Sequence, residues 1–485
     1  MIFLAGSVLS AQPLQKHPGN PHIFLFKGKP AVLIGSGEHY GAVINLDFDY
    51  RKYLQTLGRE GLNTTRLFTG PHKEIEGAFG ILHNTLAPRG DRYIAAWARS
   101  SQPGYSEGGN KFDLARFNDA YFARLQDFMR EAERQGVIVE VNLFSAFYGS
   151  IWPPSPLHPA NNVNALPEIP YQKVQTLDNG PYGGIQEAYV RKMVRELNRF
   201  DNLYFEIQNE PWADNGRLGG IWNEYIQKEM LKDPGQHWRC ILEPANEASL
   251  AWQKKIAGII RAEESRLPQR HLISQNCCNF KLALAEVDPN VDILNFHYAL
   301  PEAVELNRHW GRVVGFNETG FAGSADDPYR RQAWRFMLSG GGLFNHLDYS
   351  FSVGFEDGTD AGNNAPGGGS PALRRQFRIL KDFLESLDLV HLQPAGSNLA
   401  LSQGAFSWML TNHRNQWAAY CEGYQPFSLE LALPSGTYQV EWMDVGSGAI
   451  VKKETLSVAG KKAKIQSGEN YQEVVVKIVK QGGKV

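Results

Sequence analysis

For its length the chain has little cysteine: Cys240, Cys277, Cys278 and Cys421 are the four among 485 residues. They show neither the CxxC spacing of a zinc site nor the density of a disulfide-stapled scaffold, which excludes both classes. They read as mostly structural, with one bridge from Cys240 to Cys277 or Cys278 left open. An excess of one charge is also missing. With 49 Lys and Arg against 51 Asp and Glu, the formal charge of -2 offers no general attraction to nucleic acid or anionic membranes. No apolar run reaches about 18 residues, so a membrane-spanning helix is not expected. No GxGxxG follows the first apolar strand, which removes the fingerprint of a dinucleotide-binding open sheet. No repeat of solenoid length occurs. Residues 1–12, MIFLAGSVLSAQ, join an apolar run to small residues like the end of a secretory leader, but no basic segment precedes them. Residues 1–20 are thus either a short leader, implying a secreted or periplasmic protein, or a disordered N-terminus.

What is present in quantity is aromatic side chain and glycine: 12% aromatics, including 11 Trp and 19 Tyr, beside 48 Gly. Most aromatics belong to cores; the remainder suit a loop-rich protein that stacks flat ligands, of which sugar rings are one kind. Hydrophobic and charged fractions of 42% and 21% are those of a globular protein, and the length predicts one large domain with a smaller one.

From residue 22 short apolar or β-branched runs alternate with amphipathic stretches, the pattern of a parallel α/β fold. The strand candidates number eight: AVLIGS from Ala31, NTTRLF from Asn63, VIVEVNLF from Val137, NLYFEIQN from Asn202, HLISQN from His271, DILNFHY from Asp292, RVVGFNE from Arg312 and GGLFNHLD from Gly341. Helix candidates between and after them include DYRKYLQTLGRE, LARFNDAYFARLQDFMREAERQG, IQEAYVRKMVRELNRF, SLAWQKKIAGIIRAEESR and PALRRQFRILKDFLESL. Eight strands with intervening helices predict a (β/α)8 barrel over residues 21–393. Before it, HPGNPHIFLFKGKPAVLIG reads as a hairpin turning at Lys27, Gly28 and Lys29 that plugs the barrel floor. Long connections run from Thr69 to Lys111 and from Ser145 to Gly184, both after strand C-termini, where they wall a cleft. In the Gly-rich segment from Gly354 to Pro371, Asp357, Asp360 and Asn363 lack EF-hand spacing and read as a solvated loop rather than a calcium site. Over 394–485 short alternating runs separated by turn residues predict a β-sandwich, with Trp408, Trp417 and Trp442 at core spacing and a brace for the barrel as its role. The lysine-rich stretch from Lys452 to Lys464 reads as a solvated edge.

Two strand ends carry chemistry. NLYFEIQNEPW brings Asn209 and Glu210 to the end of the fourth strand, and RVVGFNETGF brings Glu318 to the end of the seventh. Cleaving a glycosidic bond needs a carboxylic acid that protonates the leaving oxygen and, once ionised, activates water. A neighbouring Asn suits the sugar hydroxyl beside the reacting carbon. Glu210 could alternatively serve only to start the helix that Pro211 opens.

Taken together, these strand ends resemble the clan of retaining (β/α)8 glycoside hydrolases that includes family 5. The resemblance implies Glu210 as acid/base and Glu318 as nucleophile. It also implies Arg66 beside the nucleophile and Tyr298 bonded to it. His297, next to Tyr298, is placed to contact either the acid/base or the sugar, and Trp212, just after the Asn-Glu-Pro tripeptide, to line a subsite, with Trp152, Trp222 and Trp310 as weaker candidates. The chain departs from family 5 at the end of strand 3, where Asn142 and Phe144 replace a histidine, and at the end of strand 8, where Asn345, His346 and Asp348 replace a tryptophan. His39, next to Glu38, together with His346 and Asp348, is expected to supply the missing sugar contacts. The resemblance implies retaining hydrolysis of β-linked glycans without metal or cofactor. A transglycosylase using the same carboxylates and a non-catalytic carbohydrate-binding barrel are the alternatives.

Overall fold

The computed structural model describes residues 12–37, 41–217, 221–222, 232, 238–239, 241–363, 365, 367–395, 400–401, 405–423, 426–468 and 471–482. The leader-like residues 1–11, His39 and Cys240 lie outside the described residues, as does the side chain of Trp222.

Eight parallel strands close a barrel: β1 (Leu33–Gly37), β2 (Thr64–Phe68), β3 (Ile138–Ser145), β4 (Leu203–Asn209), β5 (Leu272–Asn279), β6 (Ile293–His297), β7 (Val313–Glu318) and β8 (Leu343–Leu347). Each pairs with its neighbours in sequence order, and β8 closes on β1. Every predicted strand is found. Seven of the crossovers or flanks carry a helix, Tyr50–Arg59, Asp119–Arg134, Tyr182–Leu197, Glu247–Glu264, Glu302–Asn307, Asp326–Leu338 and Pro371–Glu385; residues 280–292, between β5 and β6, form none. Local chemistry sets the helix starts. Asp49, Asn118, Asn246 and Ser370 each accept a backbone N–H in the first turn, and Pro371 stands where its missing N–H costs nothing. The Asn118 cap explains one difference from the sequence reading: the LARF segment before it is strand, paired across a hairpin of Trp97–Pro103 and Asn110–Phe117.

The N-terminal segment is a three-stranded meander, Gln15–His17, Asn20–Phe26 and Lys29–Ala31, turning at Lys27 and Gly28 with φ of 49° and 76°. Leu14 and Phe24 from this segment join Leu33, Ile138, Tyr204, Leu272, Ile293, Val313 and Leu343 in one buried cluster. All seven of these barrel residues stand at or near strand starts, so the meander seals the floor and leaves the opposite rim for chemistry.

The C-terminal region packs a six-stranded antiparallel sheet and a three-stranded one around Trp417, Tyr438, Trp442, Leu429 and Ile465. It is braced on the helix Asp326–Leu338. Arg330 and Arg331 pair with the Glu473 carboxylate at 2.7 and 2.8 Å, Arg335 pairs with Glu422, and Trp334 stacks on Tyr420 at 5.7 Å. Trp408 stacks on the other side of this seam, 5.9 Å from Tyr420, rather than inside the sandwich core.

Cys277, Cys278 and Cys421 are buried free thiols, so neither Cys277 nor Cys278 takes part in the bridge left open by the sequence. The Gly354–Pro371 segment is not simply solvated. Asp360 is buried and takes His83 Nδ1 at 2.7 Å, while Asn363 Oδ1 accepts the His83 backbone N–H, tying this loop to the one after β2. Asp357 pairs instead with Lys52 at 3.1 Å, so the acidic side chains face different partners. No described helix is long and apolar enough to cross a membrane.

Candidate active site

Inside the barrel, above the apolar floor, the side chains turn polar. Arg66 on β2 is 2% exposed and is surrounded by acceptors. Its Nε donates to Glu140 at 2.5 Å, Nη2 to Glu206 at 3.0 Å and to Asn209 Oδ1 at 2.9 Å, and Nη1 to Glu318 Oε2 at 2.8 Å. Tyr204 donates to Glu140 at 2.8 Å, Asn295 to Glu206 at 2.6 Å, and Asn317 Nδ2 to both carboxyls. Space for these amides comes from missing side chains. A Cβ on Gly315 would lie 2.2 Å from Asn295 Oδ1, and one on Gly35 2.5 Å from Asn345 Oδ1. One guanidinium cannot balance three buried carboxylates, since an unpaired buried charge is expensive. Burial and the neighbouring Glu140 hold the Glu206 carboxyl well above its ordinary range.

Glu210 follows β4 directly and Glu318 ends β7, on the rim opposite the plug. Their side chains are 14% and 10% exposed. Glu210, His297 and Glu318 each place a potential ligand atom within 4.8 Å of the others, which sets an upper bound on the gap between the two carboxyl oxygens concerned. His297 Nδ1 lies 2.8 Å from Glu210 Oε1 and 3.6 Å from Glu318 Oε1. The Tyr298 hydroxyl reaches Glu210 at 3.4 Å and Glu318 at 3.3 Å. Tyr148 donates to Glu210 Oε2 at 2.7 Å. Burial raises the Glu210 carboxyl above its ordinary value, against the opposing pull of the Tyr148 hydroxyl and Arg66. Burial also lowers His297 to about 4, so the ring is neutral near pH 7. The Glu210–His297–Glu318 trio has the donor types of a metal site, but Arg66 already presents a fixed positive charge to Glu318 at 2.8 Å, which opposes a cation there.

The backbone of this rim is strained. Tyr148, Glu210, Phe280, Tyr298 and Phe321, which follow β3, β4, β5, β6 and β7, all have φ between 45° and 60°. Non-glycine residues in this region cost of order 1–3 kcal/mol each and cluster at functional sites. The turns at Tyr148, Glu210 and Tyr298 bring those side chains together at the carboxylate pair. Trp238 packs on Tyr298 at 5.2 Å and on Phe321 at 4.8 Å, building one aromatic wall, and Phe79 sits edge-on to Tyr148 at 5.1 Å, building another. Phe79 is 43% exposed. Two further carboxyls border the mouth: Glu74 is buried, and Glu243 is pushed up to about 7 by burial and by Glu210.

Of the residues singled out in the sequence, Arg66, Asn209, Glu210, His297, Tyr298 and Glu318 come together in one hydrogen-bonded cluster. Trp212 is buried with its ring 5.6 Å from that of His297, backing the histidine rather than facing the mouth. Asn142, paired with Phe68 and Glu206 across the neighbouring strands, is buried, with both amide atoms unpartnered among the described residues. The structure does not bring His346 and Asp348 to the cluster. Strand alternation turns His346 outward, between Tyr329 and Phe377, with Nδ1 2.5 Å from Thr319 Oγ1. Asp348 is buried against Arg374 at 2.8 Å and Ser36 at 2.8 Å. Trp152 packs within the loop after β3 against Phe147 and Tyr182, and Trp310 precedes β7 at the plugged end.

Tyr148, Trp238, Phe79, Glu140 and Glu206 were not singled out in the sequence. The first three lie on connections, where no periodicity marks direction. Glu140 and Glu206 did leave a signal: a lone carboxylate inside VIVEVNLF and NLYFEIQN must find a buried partner in a barrel strand.

No known protein family's sequence model matches the chain, and no curated protein matches it. Solved structures do. A glycoside hydrolase aligns over 98% of this chain and 98% of its own length, with a TM-score of 0.62 at 13% identity. A putative glycoside hydrolase from Bacteroides vulgatus ATCC 8482 aligns over 97% and 82%, with a TM-score of 0.65 at 14% identity. A glycoside hydrolase family 5 structure from the same organism aligns over 97% and 94%, with a TM-score of 0.64 at 12% identity. These likenesses extend over the barrel and the sandwich together and establish the fold.

Proposed function

We propose that the chain is a glycoside hydrolase that cleaves β-linked oligo- or polysaccharides with retention of anomeric configuration. The observation that carries this reading is the facing pair Glu210 and Glu318, with oxygens within 4.8 Å on the open rim of the barrel. Retention through a covalent intermediate needs carboxyl groups about 5–5.5 Å apart, whereas inversion needs about 6.5–9.5 Å to admit a water between sugar and base.

In the first step Glu318 Oε1 attacks the anomeric carbon while Glu210, protonated, gives its proton to the departing glycosidic oxygen. Arg66 holds Glu318 Oε2, which leaves Oε1 toward Tyr298 and the mouth. The result is a glycosyl ester on Glu318 and a released alcohol or sugar. In the second step the Glu210 carboxylate takes a proton from water, the water oxygen attacks the same carbon, and Glu318 leaves as carboxylate. Asn209 is fixed by Arg66 and by its own bond to the Tyr148 hydroxyl at 3.1 Å, a placement that suits a contact to the hydroxyl beside the reacting carbon. Aromatic walls on two sides of the carboxylates suit the apolar faces of sugar rings.

The test is a panel of aryl β-glycosides and β-linked polysaccharides, with the first product anomer read by proton NMR before mutarotation. The β anomer is expected first. Initial appearance of the α anomer would exclude retention, and no release from any substrate would exclude hydrolysis.

The raised Glu210 carboxyl sets a pH dependence with a definite sign. A general acid works while protonated, so kcat/KM falls as pH rises through its pKa. Burial moves that point upward, so the alkaline limb is expected above the ordinary carboxylate range. Glu210→Gln is expected to abolish this limb and lower kcat/KM for substrates with poor leaving groups about 10²–10⁴-fold, checked by a pH series on both proteins.

A further inference from the structure

We infer that Tyr148 is a positioning residue for the acid/base, setting both the orientation and the proton affinity of Glu210; the inference rests on the glycosidase reading above. Glu210 is held from two sides. Its Oε1 faces the nucleophile side, taking His297 Nδ1 at 2.8 Å and lying 3.4 Å from the Tyr298 hydroxyl. Its Oε2 turns the other way and takes the Tyr148 hydroxyl at 2.7 Å. Tyr148 therefore supplies the hydrogen bond on the side away from Glu318, and with His297 it fixes the plane of the carboxyl group. The phenol oxygen in turn accepts from Asn209 Nδ2 at 3.1 Å, so it is clamped between Asn209 at the end of β4 and Glu210 just after it.

The chain spends several interactions on placing this hydroxyl. Tyr148 sits at φ 50°, a conformation that few side chains adopt without support. Support comes from Asp214, whose two carboxylate oxygens accept the backbone N–H groups of Phe147 at 2.6 Å and Tyr148 at 2.9 Å. Asp214 lies on the short helix Pro211–Asn215 that begins immediately after Glu210. The acid/base and the loop carrying its partner hydroxyl are thus fastened to one another through a four-residue step in the chain. From outside, the Phe79 ring closes edge-on against the Tyr148 ring at 5.1 Å. A tyrosine needed only for packing would not require its backbone clamped by a carboxylate and its oxygen directed at Glu210.

Two consequences follow for catalysis. A hydroxyl that donates to a carboxylate stabilises the ionised form, so Tyr148 works against the burial that raises Glu210. A hydroxyl that fixes the carboxyl plane also fixes where the acidic proton points, which matters only when the leaving group needs that proton.

The experiment compares wild type with Tyr148→Phe, which removes the oxygen and keeps the ring against Phe79. kcat/KM is measured for aryl β-glycosides from dinitrophenyl, whose phenolate leaves unaided, to unactivated phenyl and disaccharide substrates, and across pH. The expected result is a loss that grows as the leaving group worsens, on the order of 10-fold or more for disaccharides, with the alkaline limb displaced to higher pH. An equal loss for all leaving groups with an unmoved limb would reduce Tyr148 to a structural role and overturn the inference. So would unchanged kinetics. Thermal melting checks that the variant is folded; if it is not, Asp214→Asn, which disturbs the clamp while keeping the hydroxyl, is expected to give the same leaving-group trend, and its absence there overturns the inference. Failure of the glycosidase reading looks different: wild type would release nothing from any substrate in the series.

Discussion

Glu318→Gln is expected to lower kcat/KM for aryl β-glycosides by about 10⁴-fold or more, on the order of 5 kcal/mol of transition-state stabilisation. The amide keeps the shape of the side chain and can still accept from Arg66 Nη1, which lies 2.8 Å from Oε2 in the native protein, so the fold should be retained. On the proposed reading, what is lost is the nucleophile that Arg66 and Tyr298 hold in place. On that reading Glu210 serves as acid/base, while Glu140 and Glu206 lie at 0% exposure beneath Arg66. The smaller Glu318→Ala should make the point chemically. Azide admitted to the vacated space attacks the anomeric carbon of a dinitrophenyl β-glycoside from the face Glu318 used, giving the α-glycosyl azide. A residual rate within about 10-fold of wild type would place the nucleophile elsewhere.

Arg66→Met is expected to cost about 3–5 kcal/mol of stability as well as most of the activity, because breaking a buried ion pair from one side leaves the opposite charge uncompensated. The guanidinium touches Glu140, Glu206, Asn209 and Glu318 at once, and methionine offers none of them a donor. Urea denaturation followed by tryptophan fluorescence measures the loss. The double variant Arg66→Met, Glu140→Gln removes one of the stranded carboxylates and should regain part of the stability while remaining inactive. Equal stability of the single variant and wild type would mean that the network is already largely neutral.

The architecture was readable from residue patterns to an unusual extent because its parts are periodic. All eight barrel strands stand out as apolar runs, the plug by its Lys-Gly-Lys turn and the sandwich by short alternating runs. At the site, the residues on regular strand ends were legible: Arg66, Asn209, Glu210, His297, Tyr298 and Glu318. What could not be read depended on geometry beyond the strands. His346 follows an inward Asn345, so the pleat turns it toward Tyr329 and Phe377, a direction that a motif position does not reveal. Tyr148 lies on a connection, and its bond to Glu210 depends on a left-handed turn and on Asp214, a residue 66 positions further along the chain. Trp212, two residues after Glu210, is turned behind His297 by the helix that Pro211 starts.

The seam between barrel and sandwich bears on how the molecule comes apart. Glu473 is set between Arg330, Arg331 and the Tyr420 hydroxyl, and Trp334 is covered by Tyr420. Pulling the two bodies apart would strand buried carboxylates from one and arginines from the other, so neither gains by loosening alone. Calorimetry should accordingly register a single cooperative transition for the whole chain, and a chain stopped after residue 393 should be less soluble and melt earlier than the intact protein. The sandwich then acts as a thermodynamic partner of the barrel, and its loss would be felt first as a shortened working lifetime.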